Sequence, residues 1–124
     1  MKEIISTEKA PAAVGPYSQA VKAGGFIWCS GQIALDPADG VVTGSDIKSQ
    51  TEQVMQNISA VLAASGATFD DVVKTTCFLT DINDFADFNA VYGRYFSGKP
   101  ARSCVAVAAL PKGALVEVEV IASK

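Results

Sequence analysis

The chain has 124 residues, 49% of them hydrophobic and 19% charged, enough for one cored domain, which excludes a disordered chain, a collagen-like repeat and a coiled coil. Its 10 Lys and Arg against 13 Asp and Glu give a net charge of −3, which argues against an electrostatic grip on nucleic acid or an anionic membrane. It holds 0 histidines, so Ser-His-Asp and Cys-His nucleophile systems, His-ligated zinc and a near-neutral imidazole base are all removed.

Taken in chain order, the first predicted elements are strands at Glu3–Ser6, Ser18–Ala23 and Phe26–Ser30, the last two joined across Gly24-Gly25. A helix follows over Asp46–Ser65, where Ile47, Thr51, Val54, Met55, Ile58, Val61, Leu62 and Ser65 recur at helical spacing. Lys48, Gln50, Gln53 and Asn57 are assigned to its polar side, Ser45 or Asp46 to its cap and Gly66 to its stop. A strand at Val72–Thr80 leads to a second helix from about Asp84 to Phe96, striped by Phe85, Phe88, Val91, Tyr92 and Tyr95 and ended by Gly98 and Pro100. Strands at Ser103–Ala108 and Leu115–Ala122 complete the chain, with a hairpin-like reversal expected at Leu110–Gly113.

Strand-helix-strand units require parallel pairs and short links require reversals, so the order predicts a mixed sheet of about six strands. Two helices cover only one of its faces. Along the last strand Val116, Val118 and Val120 share one face, and Leu115, Glu117, Glu119 and Ile121 share the other. If the valines meet the helices, the second face is apolar enough to need a partner, which predicts a homo-oligomer with Glu117 near a subunit interface. The whole of residues 1–124 reads as one domain without linker or repeat. No apolar run approaches the ~18 residues of a membrane span, and Cys29, Cys77 and Cys104 lie too far apart in sequence for a CxxC metal site. A soluble protein of the reducing cytoplasm is expected.

Four features carry candidate chemistry. Arg102, in Pro100-Ala101-Arg102-Ser103-Cys104, begins an otherwise apolar strand, and its planar fork suits an anionic substrate; the plainer alternative is a surface ion pair. Glu117 and Glu119 point to one sheet face, where burial raises a carboxylate toward the range of acid-base work; the alternative is a solvated strand face. Tyr17, in Gly15-Pro16-Tyr17-Ser18, is offered by a turn, and Ser30-Gly31-Gln32 ends a strand where backbone N–H groups can receive a carboxylate or oxyanion. The alternatives there are an edge ring and a plain turn. Cys104 reads as a small packed residue whose backbone matters more than its thiol, since no histidine is present to activate it.

These stretches together resemble the RidA (YjgF-type) reactive intermediate deaminase family from end to end: APAAVGPYSQAV, SGQI at Ser30–Ile33, VVKTTCFLTDINDFADFNAVY, and PARSCV followed by LPKGALVEVEVIA. The resemblance implies a chorismate-mutase-like α+β domain with two helices on one face of a six-stranded mixed sheet, assembled as a homotrimer with three clefts between subunits. It implies hydrolysis of 2-aminoacrylate and 2-aminocrotonate, enamines that tautomerise to imines, to 2-oxo acids and ammonia. Such enamines are released by pyridoxal-phosphate-dependent dehydratases, and the implied reaction uses no metal or cofactor. Carried over, Arg102 would clamp the substrate carboxylate, Glu117 would orient water, and Tyr17 would approach from the neighbouring subunit. Ser30, Gly31 and the Cys104 backbone would complete the pocket, with Phe88 and Asn89 at its wall. Ala106 and Val118 stand where many members carry other residues, and the loop before Pro100 is short. Two other readings use the same residues: a non-catalytic module that binds small 2-oxo acids, and a ribonuclease or translation inhibitor.

Overall fold

A computed structural model describes all of residues 1–124. The first helix, α1 (Ile47–Ala64), starts where Asp46 accepts a hydrogen bond from the Ser49 N–H at 2.8 Å and ends where Gly66 turns left-handed at φ 79°. Its apolar stripe is buried as the spacing predicts. Gln50 and Asn57 are not on the polar side: they are 4% and 1% exposed, turned inward among the apolar residues. The second helix, α2 (Phe85–Tyr95), buries Phe88, Val91 and Tyr92 and packs beside α1.

The strands are β1 (Glu3–Ile5), β2 (Ala20–Ala23), β3 (Phe26–Cys29), β4 (Val72–Leu79), β5 (Ala101–Ala106) and β6 (Val116–Ser123). They form one mixed six-stranded sheet in the order β1-β2-β3-β6-β4-β5. β4, α2 and β5 make a parallel crossover unit, and every other pair is antiparallel. The expected hairpin at Leu110–Gly113 is corrected. β6 does reverse direction relative to β5, but the chain passes over β4 and inserts β6 between β3 and β4, so β5 and β6 never pair. β5 also begins two residues earlier than the apolar run suggested, which places Arg102 inside the ladder, opposite Thr75.

Residues in register share a sheet face. Val116, Val118 and Val120 are at most 1% exposed and lie on the helix face with Thr75, Cys77 and Leu79 of β4. The other face carries Glu117, Glu119 and Ile121, and the exposed Trp28 is in register with Ile121. The two-sided apolar character of β3 is thereby explained: Ile27 is fully buried under the helices, whereas Phe26 and Trp28 pack with tilted rings on the open side, centroids 5.8 Å apart. No helix is long and apolar enough to cross a membrane.

Candidate active site

The candidate residues fall into two groups on opposite faces of the sheet. Arg102 shares the helix face with Thr75 and Val120, because all three stand in one register row. There its Nη1 donates to Asn89 Oδ1 at 2.6 Å, and its guanidinium carbon lies 4.8 Å from the Tyr92 ring centroid and 5.4 Å from that of Phe85. Tyr92 is itself held by a 2.7 Å hydrogen bond between its hydroxyl and that of Thr75. The alternative of a surface ion pair does not apply, since the two ion pairs of the chain are Arg94 with Glu52 and Lys124 with Asp71. A neutral amide and two aromatic faces thus orient a full positive charge, and Arg102 lines a cleft of about 400 Å³ with Lys99 and Pro100. Cys104 follows on the same face, in register with Cys77 and Val118.

Glu117 stands on the other face, in a cavity of about 430 Å³ that it shares with Tyr17, Ser30, Gly31, Gln32 and Lys112. Its carboxylate lies against Gly31, so closely that a Cβ there would come 2.1 Å from Oε2. Burial, and then the nearby Glu119 charge, push the Glu117 carboxyl above its ordinary 4.5. The segment bearing Gly31 is stapled to β6 by reciprocal hydrogen bonds between the backbones of Gln32 and Val118, at 2.9 and 3.1 Å. Of the three N–H groups expected to be available at Ser30-Gly31-Gln32, two are committed: Ser30 donates to the Gln19 carbonyl and Gln32 to that of Val118. The Gly31 N–H has no such partner and is the one free to meet an anion. The Ser30 hydroxyl donates to the Ser18 carbonyl at 2.6 Å, so this side chain ties the strand end to the Tyr17 turn.

Tyr17 is 53% exposed and enters the Glu117 cavity of its own chain. Tyr17 and Glu117 thus line one cavity within a single chain, whereas Arg102 lies on the opposite face of the sheet. Phe88 does not reach either cleft. It is fully buried, 5.5 Å from the Tyr92 ring, and supports the aromatic wall behind Arg102. Val118 is also wholly buried, so it packs in the core and does not reach the rim.

All three thiols are held protonated by burial: Cys29 and Cys77 are pushed up to about 12, and Cys104 is raised with Arg102 opposing the shift. Thiols so held are poor nucleophiles. No cluster of three or more Cys, Asp or Glu side chains is placed to hold a metal ion. Two groups went unrecognised in the sequence. Phe85 and Tyr92 read as core residues but form the face on which Arg102 lies. Gln19, 4% exposed, accepts from the Thr7 N–H and donates to the Thr7 and Pro11 carbonyls, holding the N-terminal strap that lines the Glu117 cavity. Nothing in the pattern around Gln19 marks it as buried.

The small α+β domain thus presents an arginine without an acidic partner on one sheet face and a half-buried carboxylate on the other. Residues 7–124 match the profile of the family described as Endoribonuclease L-PSP, and the chain belongs to that family. It is 54% identical over 125 residues to a RutC family protein of Pyrococcus horikoshii, covering 100% of this chain and 99% of that one. It is 50% identical over 123 residues to the chloroplastic Reactive Intermediate Deaminase A of Arabidopsis thaliana, covering 98% of this chain and 66% of that one. The crystal structure of E. coli TdcF with bound serine superimposes with a TM-score of 0.93 at 41% identity, over 98% of each chain.

Proposed function

We propose that the protein hydrolyses small 2-imino acids, formed by tautomerisation of 2-aminoacrylate and 2-aminocrotonate, to 2-oxo acids and ammonia. The observation that carries this is the pairing of an arginine without an acidic partner, oriented by Asn89 and two rings, with a carboxylate seated on Gly31. Since the two lie on opposite faces of one sheet, one copy supplies Arg102 and Cys104 while the next supplies Tyr17, Ser30, Gly31 and Glu117. The exposed Phe26, Trp28 and Val105 support closure of the open faces in a homotrimer with three such clefts. The similarity to a reactive intermediate deaminase and to a fold that holds serine, a small carboxylate-bearing amine, supports the same substrate class.

The chemistry needs placement more than a powerful nucleophile. Arg102 takes the substrate carboxylate in a bidentate grip. Water adds its oxygen to the electrophilic C2 while its proton passes to Glu117 and the C=N electron pair moves to nitrogen; return of that proton to nitrogen gives a carbinolamine. Transfer of the hydroxyl proton to nitrogen through the same carboxylate then breaks the C–N bond, forms the C=O and releases ammonia. A carboxyl raised by burial is suited to both directions of this transfer. Pyridoxal-phosphate-dependent dehydratases would supply such enamines, and a shared cytoplasmic location fits that supply.

RNA cleavage, the activity in the family's description, has less support: the net charge is −3 and no histidine is available as a general base. The test couples a serine or threonine dehydratase to this protein and follows 2-oxo acid release in the presence of semicarbazide as a trap. Acceleration by the parent and none by Arg102→Ala is expected. Tight 2-oxobutyrate binding without acceleration would instead make it a binding module.

A further inference from the structure

Gln50 and Asn57 sit two helical turns apart on the buried stripe of α1, where polar side chains are costly unless fully bonded. Each spends its amide on backbone outside the helix. Asn57 Nδ2 donates to the Ile33 carbonyl at 3.1 Å and to the Leu35 carbonyl at 2.9 Å, while its Oδ1 accepts from Gln53. Gln50 Oε1 accepts from the Leu115 N–H at 2.9 Å, and its Nε2 donates to the Gly44 carbonyl at 3.1 Å. Two of the segments so held meet at Glu117. Ile33 is two residues beyond Gly31, the seat of the carboxylate, and Leu115 is two residues before Glu117 itself. The Gln32–Val118 backbone bridge joins the same two segments beside the contact.

We propose that Gln50 and Asn57 are a pair of positioning residues that fix the Glu117 carboxylate against Gly31 from inside α1, without touching substrate. Neither amide lines the Glu117 cavity. What each determines is the relative placement of the Gly31 segment and the start of β6, whose closest approach is shorter than a Cβ allows. A carboxylate displaced by a fraction of an ångström would misplace the water, and such remote displacements cost on the order of 10- to 100-fold in rate. It would also become wetter. The charged or titratable groups facing Glu117 are Glu119 on its own strand and Lys112 and Tyr17 across the cavity, and the two variants below alter none of them.

This inference rests on the deaminase reading for its rate effect but not for its titration effect. Asn57→Leu and Gln50→Met keep the buried volume and delete the amide bonds; Val61→Ala, in the same helix and 1% exposed, is the control for loss of packing alone. For each, kcat and KM for the dehydratase-generated imine are measured, and the Glu117 carboxyl is titrated by NMR. Expected for both amide variants is a fall in kcat of about 10-fold or more, with KM within about 3-fold because Arg102 is untouched. The Glu117 titration should move down toward its ordinary 4.5, and in Val61→Ala both readouts should stay at the parental values. Unchanged kcat and titration in a folded Asn57→Leu or Gln50→Met would overturn the proposal. So would an equal change in Val61→Ala, or failure of both amide variants to fold where Val61→Ala folds, since the amides would then be determinants of folding and not of position. A parent without imine hydrolysis would refute the deaminase reading alone, because the titration shift still reports on the seat.

Discussion

Gly31→Ala is the sharpest single perturbation of the site. The added Cβ would lie 2.1 Å from Glu117 Oε2 and 2.9 Å from its Cδ, where ordinary contact begins at 3.4 Å. The carboxylate must therefore retreat by roughly 1 Å or more. It is the far end of a flexible side chain beside a cavity of about 430 Å³, so the retreat is cheap for folding. Stability should change by no more than about 1 kcal/mol, with the loss of chain entropy in the unfolded state partly offsetting the strain. Catalysis should not tolerate it: misplacing the water-orienting group by that distance costs on the order of 100-fold. The assay is kcat from trapped 2-oxo acid release, alongside a thermal melt. A kcat near that of the parent would refute the seating of Glu117 on Gly31, and a melt lowered by tens of degrees would show that the glycine serves folding instead.

Arg102→Lys keeps the charge but loses the fork and the aromatic stacking, so kcat/KM should fall about 10- to 100-fold and 2-oxobutyrate binding should weaken in parallel, as read by calorimetry. Glu117→Gln should abolish turnover while leaving the fold as stable or more so at neutral pH. Burial raises the Glu117 carboxyl, so the folded state holds its proton more tightly than the unfolded chain. The stability this contributes is greatest at low pH and is lost as pH rises from about 4.5 through the raised value, a slope that the Gln variant should lack in denaturant melts at stepped pH. Over the same window the kcat/KM of the parent should fall on acidification as the carboxylate is consumed. Trp28→Glu places a charge among the exposed apolar residues of the open face and should yield inactive monomers in sedimentation experiments.

Much of this was legible in the sequence because it rests on periodicity. The alternation Val116, Val118, Val120 against Glu117 and Glu119 gave the two faces of β6 correctly, and the apolar stripe gave α1 to within a residue or two. Topology was less legible: the turn at Leu110–Gly113 showed that the chain reverses but not that β6 would slip between β3 and β4, since that depends on contacts distant in sequence. The polar residues of α1 misled for a related reason. Gln50 and Asn57 look like solvent-facing positions, and only the loops that cross the helix, with carbonyls at Ile33, Leu35 and Gly44 to satisfy, make them interior. At the site, Arg102 and Glu117 were identifiable as side chains with chemistry, but their separation onto opposite faces follows from the Thr75 and Phe78 register rows, which no local pattern encodes.

Whether one copy's Arg102 works with the next copy's Glu117 is decided by mixing subunits. Arg102→Ala and Glu117→Gln, each inactive alone, are denatured together in equal amounts and refolded. In a trimer with sites between adjacent copies, about a quarter of the clefts regain both native residues, so roughly a quarter of the parental activity should return. If both residues of a site come from the same chain, every cleft carries one lesion and the mixture stays inactive, which would refute a site shared between copies.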